Sequence, residues 1–403
     1  MDKKIETSHD FEQLRDIIDR ILRIDDLTLG GNKDHFILRC RGTLRLKDSE
    51  KAYDQLVDRL KGLGLTPLFR MEEGKHVVYL VQGRPTPKAS NPWINLVLFL
   101  LTLLSVLFTG FTFGLQESLP TEAWPLIVAV FKYGWPYAIS LIAILGAHEF
   151  GHYLAGRYHG LNVTLPYFIP FPFSAFGTLG AFINMKEVPK NRKVLLDVGL
   201  AGPLSGLIVA IPVLLIGLKL SVMDALPMSP PEGMVFSLEG NSIIYLVSKY
   251  LVFGQLLPAP PDYGNLSPIL YWIRYFFTGK PLPFGGVDVL LHPVAWAGWG
   301  GLLVTGLNLI PAGQLDGGHI LQVVFGKKNS KRIFPFIIVA LIIFGFVWRG
   351  WWFWAVLIFV FGRFSAEPLD EITPLDPRRR ALGILGLIIF VLTFTPVPLA
   401  YFF

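Results

Sequence analysis

Long apolar runs, separated by short basic or proline-rich segments, dominate the chain beyond residue 90. A helix needs about 20 mostly apolar residues to cross a bilayer. Runs of about that length lie at 93–113, 137–158 and 194–218, and shorter ones follow at 294–306, 333–347, 351–361 and 382–399. The pattern predicts a polytopic α-helical membrane protein with about six to seven spans.

The first 84 residues have a different pattern, which is typical of a small α+β soluble domain. Apolar positions recur at helical spacing over 10–22, and 35–40 alternates like a strand. Ser49 is a candidate cap for a second helix, and 65–81 alternates like a hairpin with Glu73-Gly74 in its turn. We interpret this domain as a regulatory or substrate-recruiting module, with a plain solvated domain as the alternative.

These two patterns divide the chain into four parts. We predict a soluble domain at 1–84, a linker at 85–92, a membrane core at 93–365, and a second linker with a C-terminal span at 366–403. Within the core, 221–293 is rich in proline, and its apolar runs are too short to assign as spans.

Composition agrees with a membrane protein and excludes several other classes. The chain is 52% hydrophobic and 16% charged, with a net charge of +6 whose basic residues cluster at the ends of apolar runs. That distribution favours membrane orientation over nucleic-acid binding, so no nucleic-acid partner is expected. The single cysteine, Cys40, excludes an internal disulfide and a zinc ribbon.

An H-E-x-x-H motif lies inside the second long apolar run. On a helix, His148 and His152 are one turn apart on the same face, so both imidazoles can reach one metal ion. Glu149 can take a proton from water at that ion without being a ligand. Ionisable side chains at membrane depth are costly and are usually kept for a function. The alternative is a helix whose two His and one Glu satisfy each other in a bundle.

A second polar segment, 308–319, follows the apolar run at 294–306. Asp316 is flanked by glycines there and needs a partner, which a metal held by His148 and His152 would provide. Pro311 would bend the chain toward the ion, and Asn308 could donate to a substrate carbonyl or its developing oxyanion.

Three other side chains compete with Asp316 as the third ligand. His319 is one turn beyond Asp316 and fits a ligand, a supporting partner or a core residue. His159 is one residue out of register for a third histidine of an extended H-E-x-x-H motif. Glu187 lies in a basic stretch and is better explained as solvated, so Asp316 is our prediction.

Between these two motifs, 163–186 does not fit a simple helix. Prolines interrupt it, and Gly177, Thr178, Leu179 and Gly180 lie in a segment with strand character. Irregular backbone at membrane depth requires cover by protein or a water-filled cavity. We therefore predict a re-entrant β-hairpin whose edge binds an extended substrate, with an ordinary surface loop as the alternative.

Taken together, H-E-F-G-H at 148–152, G-T-L-G at 177–180 and the run from Asn308 to Gly318 resemble the site-2 protease family of intramembrane zinc metalloproteases, peptidase family M50. The segment 41–45, the helix after it and the following hairpin are similar to the EGY-type plastid branch and its prokaryotic relatives. That branch usually has Asn where Thr43 stands, and no PDZ-like insert is evident here.

The resemblance implies one zinc ion per chain, bound by His148, His152 and Asp316, with Glu149 as the general base. It implies cleavage of transmembrane helices of substrate proteins in the lipid bilayer, in regulated intramembrane proteolysis. Two alternatives remain: a membrane transporter that binds metal with the same ligands, and a catalytically silent scaffold.

Charge and the start of the chain give an expected location. If the basic clusters at 84–88, 186–193, 327–332 and 378–380 share the cytoplasmic side, the spans alternate without conflict. The N-terminal domain and the access to the active site would then be cytoplasmic. The polar start is neither a secretory signal nor a transit peptide, so we expect a prokaryotic cell membrane rather than a plastid.

Overall fold

A computed structural model of the protein describes residues 8–31, 34–83, 90–114, 122–228, 236–362 and 367–402. The chain divides into two compact units. Unit 1 contains Met1–Ala89, Met185–Leu196 and Ala366–Arg380, and unit 2 contains Ser90–Asn184, Asp197–Ser365 and Ala381–Phe403. The predicted boundary at residue 84 did not include the two later segments of unit 1. Most of the predicted linker at 85–92 lies outside the described residues.

Unit 1 is built on a four-stranded antiparallel sheet with strand order β1-β2-β4-β3. Buried residues of both helices, among them Ile18 and Leu56, pack with Leu38 and Phe69 of the sheet in one core. The elements in chain order are α1 (Ser8–Asp19), β1 (Leu22–Leu29), β2 (Leu38–Leu44), α2 (Ser49–Leu60), β3 (Leu65–Glu72) and β4 (Lys75–Gln82). The predicted α+β domain is therefore present.

The local structure of unit 1 confirms one prediction made from the sequence, corrects another and adds a strand. The hairpin turn at Glu73-Gly74 is confirmed, with φ angles of 48° and 78°. The cap of α2 is Asp48 rather than Ser49, since the Asp48 carboxylate accepts hydrogen bonds from the amides of Glu50 and Lys51. Strand β1 was not predicted, because a bulge after Ile24 breaks its alternation.

The later segments of unit 1 extend this sheet beyond β3. The amide of Glu371 donates to the Phe69 carbonyl, and the Phe69 amide donates to Leu369. Amides of 369–370 then donate to carbonyls of 189–190. Arg70, which is 16% exposed, donates to the carbonyls of Pro368 and Leu369. Residues from three distant parts of the sequence thus form one hydrogen-bonded layer.

A polar cluster joins α2 to residues 190–193 of unit 1. The Glu50 carboxylate accepts hydrogen bonds from Lys193 at 2.7 Å and Asn191 at 2.9 Å, and Lys190 lies 3.6 Å away. Burial alone would raise the pKa of Glu50, but the hydrogen bond and charge of Lys193, with Asn191 and Lys190, lower it below 4.5. We call Glu50, Lys190, Asn191 and Lys193 the Glu50 cluster.

Unit 2 is predominantly helical, and its described residues form three short two-stranded sheets, which pair Tyr167–Pro170 with Thr178–Phe182, Val222–Ala225 with Val287–Leu290, and Phe236–Glu239 with Leu399–Phe402. Two helices, Arg192–Leu220 and Pro377–Thr393, begin in unit 1 and continue into unit 2. The elements are α3 (Pro92–Gly114), α4 (Ala123–Tyr158), β5 (Tyr167–Pro170), β6 (Thr178–Phe182), α5 (Arg192–Leu220), β7 (Val222–Ala225), β8 (Phe236–Glu239), α6 (Ile243–Phe253), α7 (Pro268–Thr278), β9 (Val287–Leu290), α8 (Pro293–Asn308), α9 (Asp316–Phe325), α10 (Lys327–Gly345), α11 (Gly350–Phe361), α12 (Pro377–Thr393) and β10 (Leu399–Phe402).

Three of the described helices, α3, α4 and α5, are long and apolar enough to cross a membrane, with lengths of 23, 36 and 29 residues. Each carries large apolar side chains on its exposed side, such as Phe108, Ile139 and Ile208. That exposure suits contact with lipid rather than water. Helix α4 begins at Ala123, well before the predicted 137, and continues through Pro136.

Candidate metal centre

Helix α4 brings the H-E-x-x-H side chains to the interior of unit 2. His148, Glu149 and His152 are 3%, 5% and 6% exposed, and all three are buried although their helix carries exposed apolar residues elsewhere. The Nε2 atoms of the two imidazoles are 3.2 Å apart. The predicted one-turn spacing therefore places two donors beside each other.

Asp316 reaches the same point from the first turn of α9. The Asp316 Oδ2 atom lies 3.4 Å from His148 Nε2 and 3.3 Å from His152 Nε2. A compact loop leads to Asp316 from Asn308 at the end of α8, and it passes close to the first turn of α9. A Cβ atom at Gly317 would lie 1.9 Å from the Leu309 carbonyl oxygen, and one at Gly318 would lie 2.4 Å from that of Gly313. The two glycines after Asp316 therefore allow this close approach.

The geometry of the three donors matches a tetrahedral metal ion. Donors about 2.0 to 2.2 Å from such an ion lie about 3.3 to 3.6 Å from one another. The observed separations of 3.3 and 3.4 Å fall within this range, and the 3.2 Å between the two imidazoles lies just below it. Two imidazoles and one carboxylate are a donor set that zinc favours, and three protein ligands leave one position open. His148, His152 and Asp316 thus form a possible metal site.

The backbone of α5 orients one of these ligands. His152 Nδ1 lies 2.7 Å from the carbonyl oxygen of Val198. A carbonyl can only accept, so Nδ1 carries a proton, and in the neutral ring the lone pair is on Nε2, which lies 3.3 Å from Asp316 Oδ2. A ligating histidine is commonly held in this way, because the second hydrogen bond fixes its tautomer and ring orientation. Sequence reasoning missed Val198, since a backbone carbonyl leaves no residue signature.

Two glycines of α5 make room for the imidazoles. A Cβ atom on Gly202 would lie 2.1 Å from His152 Nε2, and one on Gly206 would lie 3.2 Å from His148 Nδ1. Any side chain at Gly202 would therefore displace a ligand. The run of small residues at 199–206 was the available signal, but sequence reasoning assigned it no role in the site.

The β-hairpin contacts the proposed base. Strands β5 and β6 pair as predicted, and the backbone of Ile183, just after β6, hydrogen-bonds the Glu149 side chain. Gly177 and Gly180 have φ angles of 75° and 103°. Thr178 is buried and donates to the Ile169 carbonyl across the hairpin, whereas Leu179 is 65% exposed.

The remaining predicted residues lie at different distances from the centre. Asn308 Nδ2 is 3.3 Å from His148 Nε2, so its amide is beside the metal ligands. His319 is buried one turn after Asp316, but the three converging donors do not include it. His159 instead contacts Asp197, at 3.0 Å. Glu187 belongs to unit 1.

Comparison with known proteins agrees with this chemistry. Residues 136–348 match Peptidase family M50. "Probable zinc metalloprotease EGY2, chloroplastic" of Arabidopsis thaliana is 31% identical over 371 residues, which cover 90% of this chain and 60% of that protein. "Probable zinc metalloprotease EGY1, chloroplastic" of Oryza sativa subsp. japonica is 29% identical over 323 residues, covering 75% of this chain and 50% of that protein. No solved structure matches the chain.

The relatives correct one prediction, and they are longer than the part that this chain matches. These relatives are named as chloroplastic proteins, which contradicts the expected prokaryotic cell membrane with its cytoplasmic access and points to an organellar membrane. The chain spans 60% of the EGY2 relative and 50% of the EGY1 relative.

Proposed function

The chain belongs to peptidase family M50, and from this membership and its metal centre we propose that it is a zinc-dependent intramembrane endopeptidase that cleaves transmembrane segments of substrate proteins. The observation that carries the proposal is the convergence of His148, His152 and Asp316 at near-tetrahedral spacing, with Glu149 directly after His148 in the sequence. The relatives' names, which include zinc metalloprotease, support the same activity and cofactor.

In this proposal the three donors hold the ion and the neighbouring groups keep them in place. His148, His152 and Asp316 would bind zinc, while the Val198 carbonyl holds His152 with Nε2 free to ligate. When bound, zinc supplies Lewis-acid chemistry, which polarises a carbonyl group and makes water more acidic.

Glu149 moves the proton. Its carboxylate accepts a proton from the attacking water and returns it to the leaving amine, so that the peptide bond is hydrolysed with no net change in the enzyme. The hydrogen bond from the Ile183 backbone fixes the orientation of that carboxylate. With the His148 lone pair committed to the metal, the amide of Asn308 is left to donate to the substrate carbonyl or its oxyanion.

The substrate would be a transmembrane helix of another protein, locally unwound so that its backbone is accessible. A helix uses its own amides internally and offers none to a protease. The hairpin has two strands, and an extended substrate segment could pair with β6, beginning at Gly177, Thr178, Leu179 and Gly180. His319 would support Asp316 from the next turn of α9.

For the architecture we propose about six to seven spans in all, with a soluble domain at 1–84, a linker at 85–92, a membrane core at 93–365, and a linker with the last of these spans at 366–403. The apolar stretches of α10, α11 and α12 are the candidates for the further crossings. Because Cys40 is the single cysteine, single-cysteine variants made in Cys40→Ala can be labelled from either side of the membrane. Labelling that finds only three crossings would contradict the proposal.

The test of function compares wild type, Glu149→Gln and Asp316→Asn on a fusion protein with a transmembrane helix, with zinc content measured on each. We expect cleavage and one zinc for wild type, zinc without cleavage for Glu149→Gln, and loss of both for Asp316→Asn. Full cleavage by Glu149→Gln would remove the proposed base. Zinc-dependent ion flux in liposomes without cleavage would favour a transporter, and zinc with neither activity would favour a scaffold.

A further inference from the structure

A polar pair closes one end of the contact between α4 and α5. His159 follows the last residue of α4, and its Nε2 lies 3.0 Å from Oδ2 of Asp197 in α5. The two side chains are 18% and 23% exposed. The amide of His159 also donates to the Ala155 carbonyl, which fixes His159 to the last turn of α4.

The rest of the α4–α5 contact depends on small residues. A Cβ atom on Gly151 would lie 2.0 Å from Ser205 Oγ and 2.5 Å from the Ala201 carbonyl oxygen. Gly202 and Gly206 lie against the two imidazoles in the same way. Backbones that approach this closely have few interdigitating side chains to resist sliding along the helix axis. A specific polar contact at one end would therefore set the register.

Asp197 immediately precedes Val198, whose carbonyl accepts from His152. A displacement of Asp197 relative to α4 therefore moves the acceptor that fixes the His152 tautomer. We infer that His159 and Asp197 are a positioning pair: they fix α4 against α5 so that the Val198 carbonyl holds His152 ready to bind the metal. This role rests on the proposed zinc site and explains a histidine that the ligand set does not use.

The expected effect is on metal binding more than on folding. A partly exposed pair contributes little to stability. Removing a group that orients a metal ligand weakens metal binding about 10- to 100-fold, and His159 acts one contact further away. We therefore expect about a 3- to 10-fold rise in the zinc dissociation constant for His159→Phe and for Asp197→Ala, each of which removes one partner of the hydrogen bond.

The experiment measures that constant by chelator competition on the full-length protein, with cobalt absorption as a readout of ligand geometry. The double variant should bind no more weakly than the weaker single variant, because both break the same contact. His159→Arg, which keeps an N–H donor for Asp197, should remain within about twofold of wild type and decides the result if His159→Phe does not fold. Asp25→Ala, which breaks the 2.7 Å pair with Lys75 in unit 1, is the matched control and should bind like wild type.

Wild-type constants and unchanged cobalt spectra in both single variants would overturn the inference, as would additive losses in the double variant. If wild type binds zinc and cleaves while these variants bind equally well, this inference fails and the proposed function stands. If wild type itself binds no zinc, both fail.

Discussion

The metal centre of unit 2 and the Glu50 cluster of unit 1 hold distant segments together by different means. At the metal centre, three side chains converge in a buried space bounded by the glycines of α5. In the Glu50 cluster, long side chains that are about one-third exposed meet at hydrogen-bonding distance. The first arrangement leaves little room for a side chain at these glycines, whereas the second can adjust its rotamers. Substitutions should therefore be severe in one region and mild in the other.

Gly202→Ala should have the largest effect. The added methyl group would lie 2.1 Å from His152 Nε2, so the ligand must leave its position. We expect zinc affinity to fall by about 100-fold or more, with loss of cleavage. Gly146→Ala in α4 is the matched control, because a Cβ atom there contacts nothing within 4 Å. Full zinc occupancy in Gly202→Ala would contradict the described packing.

Gly206→Ala should be weaker and would measure how much the centre can relax. Its Cβ atom would lie 3.2 Å from His148 Nδ1, a contact that a small movement relieves. We expect zinc binding to weaken about tenfold, measured by chelator competition beside Gly202→Ala. An effect as large as that of Gly202→Ala would mean that the distance from the added Cβ atom to the imidazole does not determine how much zinc binding is lost.

Arg70→Ala tests the sheet extension in unit 1. Loss of the Arg70 guanidinium removes hydrogen bonds to the carbonyls of Pro368 and Leu369. We expect a destabilisation of about 1–3 kcal/mol, seen as faster hydrogen exchange of the amides at 369–371. Arg15→Ala, which breaks an exposed pair with Glu12, should leave this exchange unchanged. If the amides at 369–371 exchange equally fast in both variants, the hydrogen bonds from Arg70 do not hold this segment in place.

Glu50→Gln should have the smallest effect, and its effect depends on pH. Because the folded protein lowers the pKa of Glu50 below 4.5, its charge stabilises unit 1 at neutral pH and this contribution is lost as pH falls through the lowered pKa. The difference in Tm between wild type and Glu50→Gln should be constant from about pH 6 to 8 and vanish in acid. Glu12→Gln is the control. A difference in Tm between wild type and Glu50→Gln that persists in strong acid would contradict the ion pairing.

Much of the metal centre could be predicted because its signals are local or chemically rare. The helical spacing of His148 and His152 follows from five residues of sequence, and a carboxylate among glycines in an apolar segment singles out Asp316. The groups that shape the site could not be found in the same way. Val198 acts through its backbone, and the role of Gly202 depends on which helix packs against it.

The fold was predictable where periodicity is unbroken. The long apolar runs at α3 and α5 and the hairpin of β3 and β4 follow their patterns closely. Strand β1 was hidden by a bulge, and the start of α4 was hidden by Pro136, which usually ends a helix. The strand-like pairing of 369–371 depends on partners about 300 residues away, as in the bond from Arg70 to Leu369, which spans 299 positions.

That long-range pairing affects the order in which the protein can be assembled during synthesis. Strand β3 is made before its outer neighbours at 189–191 and 369–371, and the second of these follows β3 by about 300 residues. Until then Phe69 offers an unpaired edge, and Pro67, which lacks an amide hydrogen, limits how far another strand can add to it. Unit 1 is therefore completed only after most of unit 2 has been made.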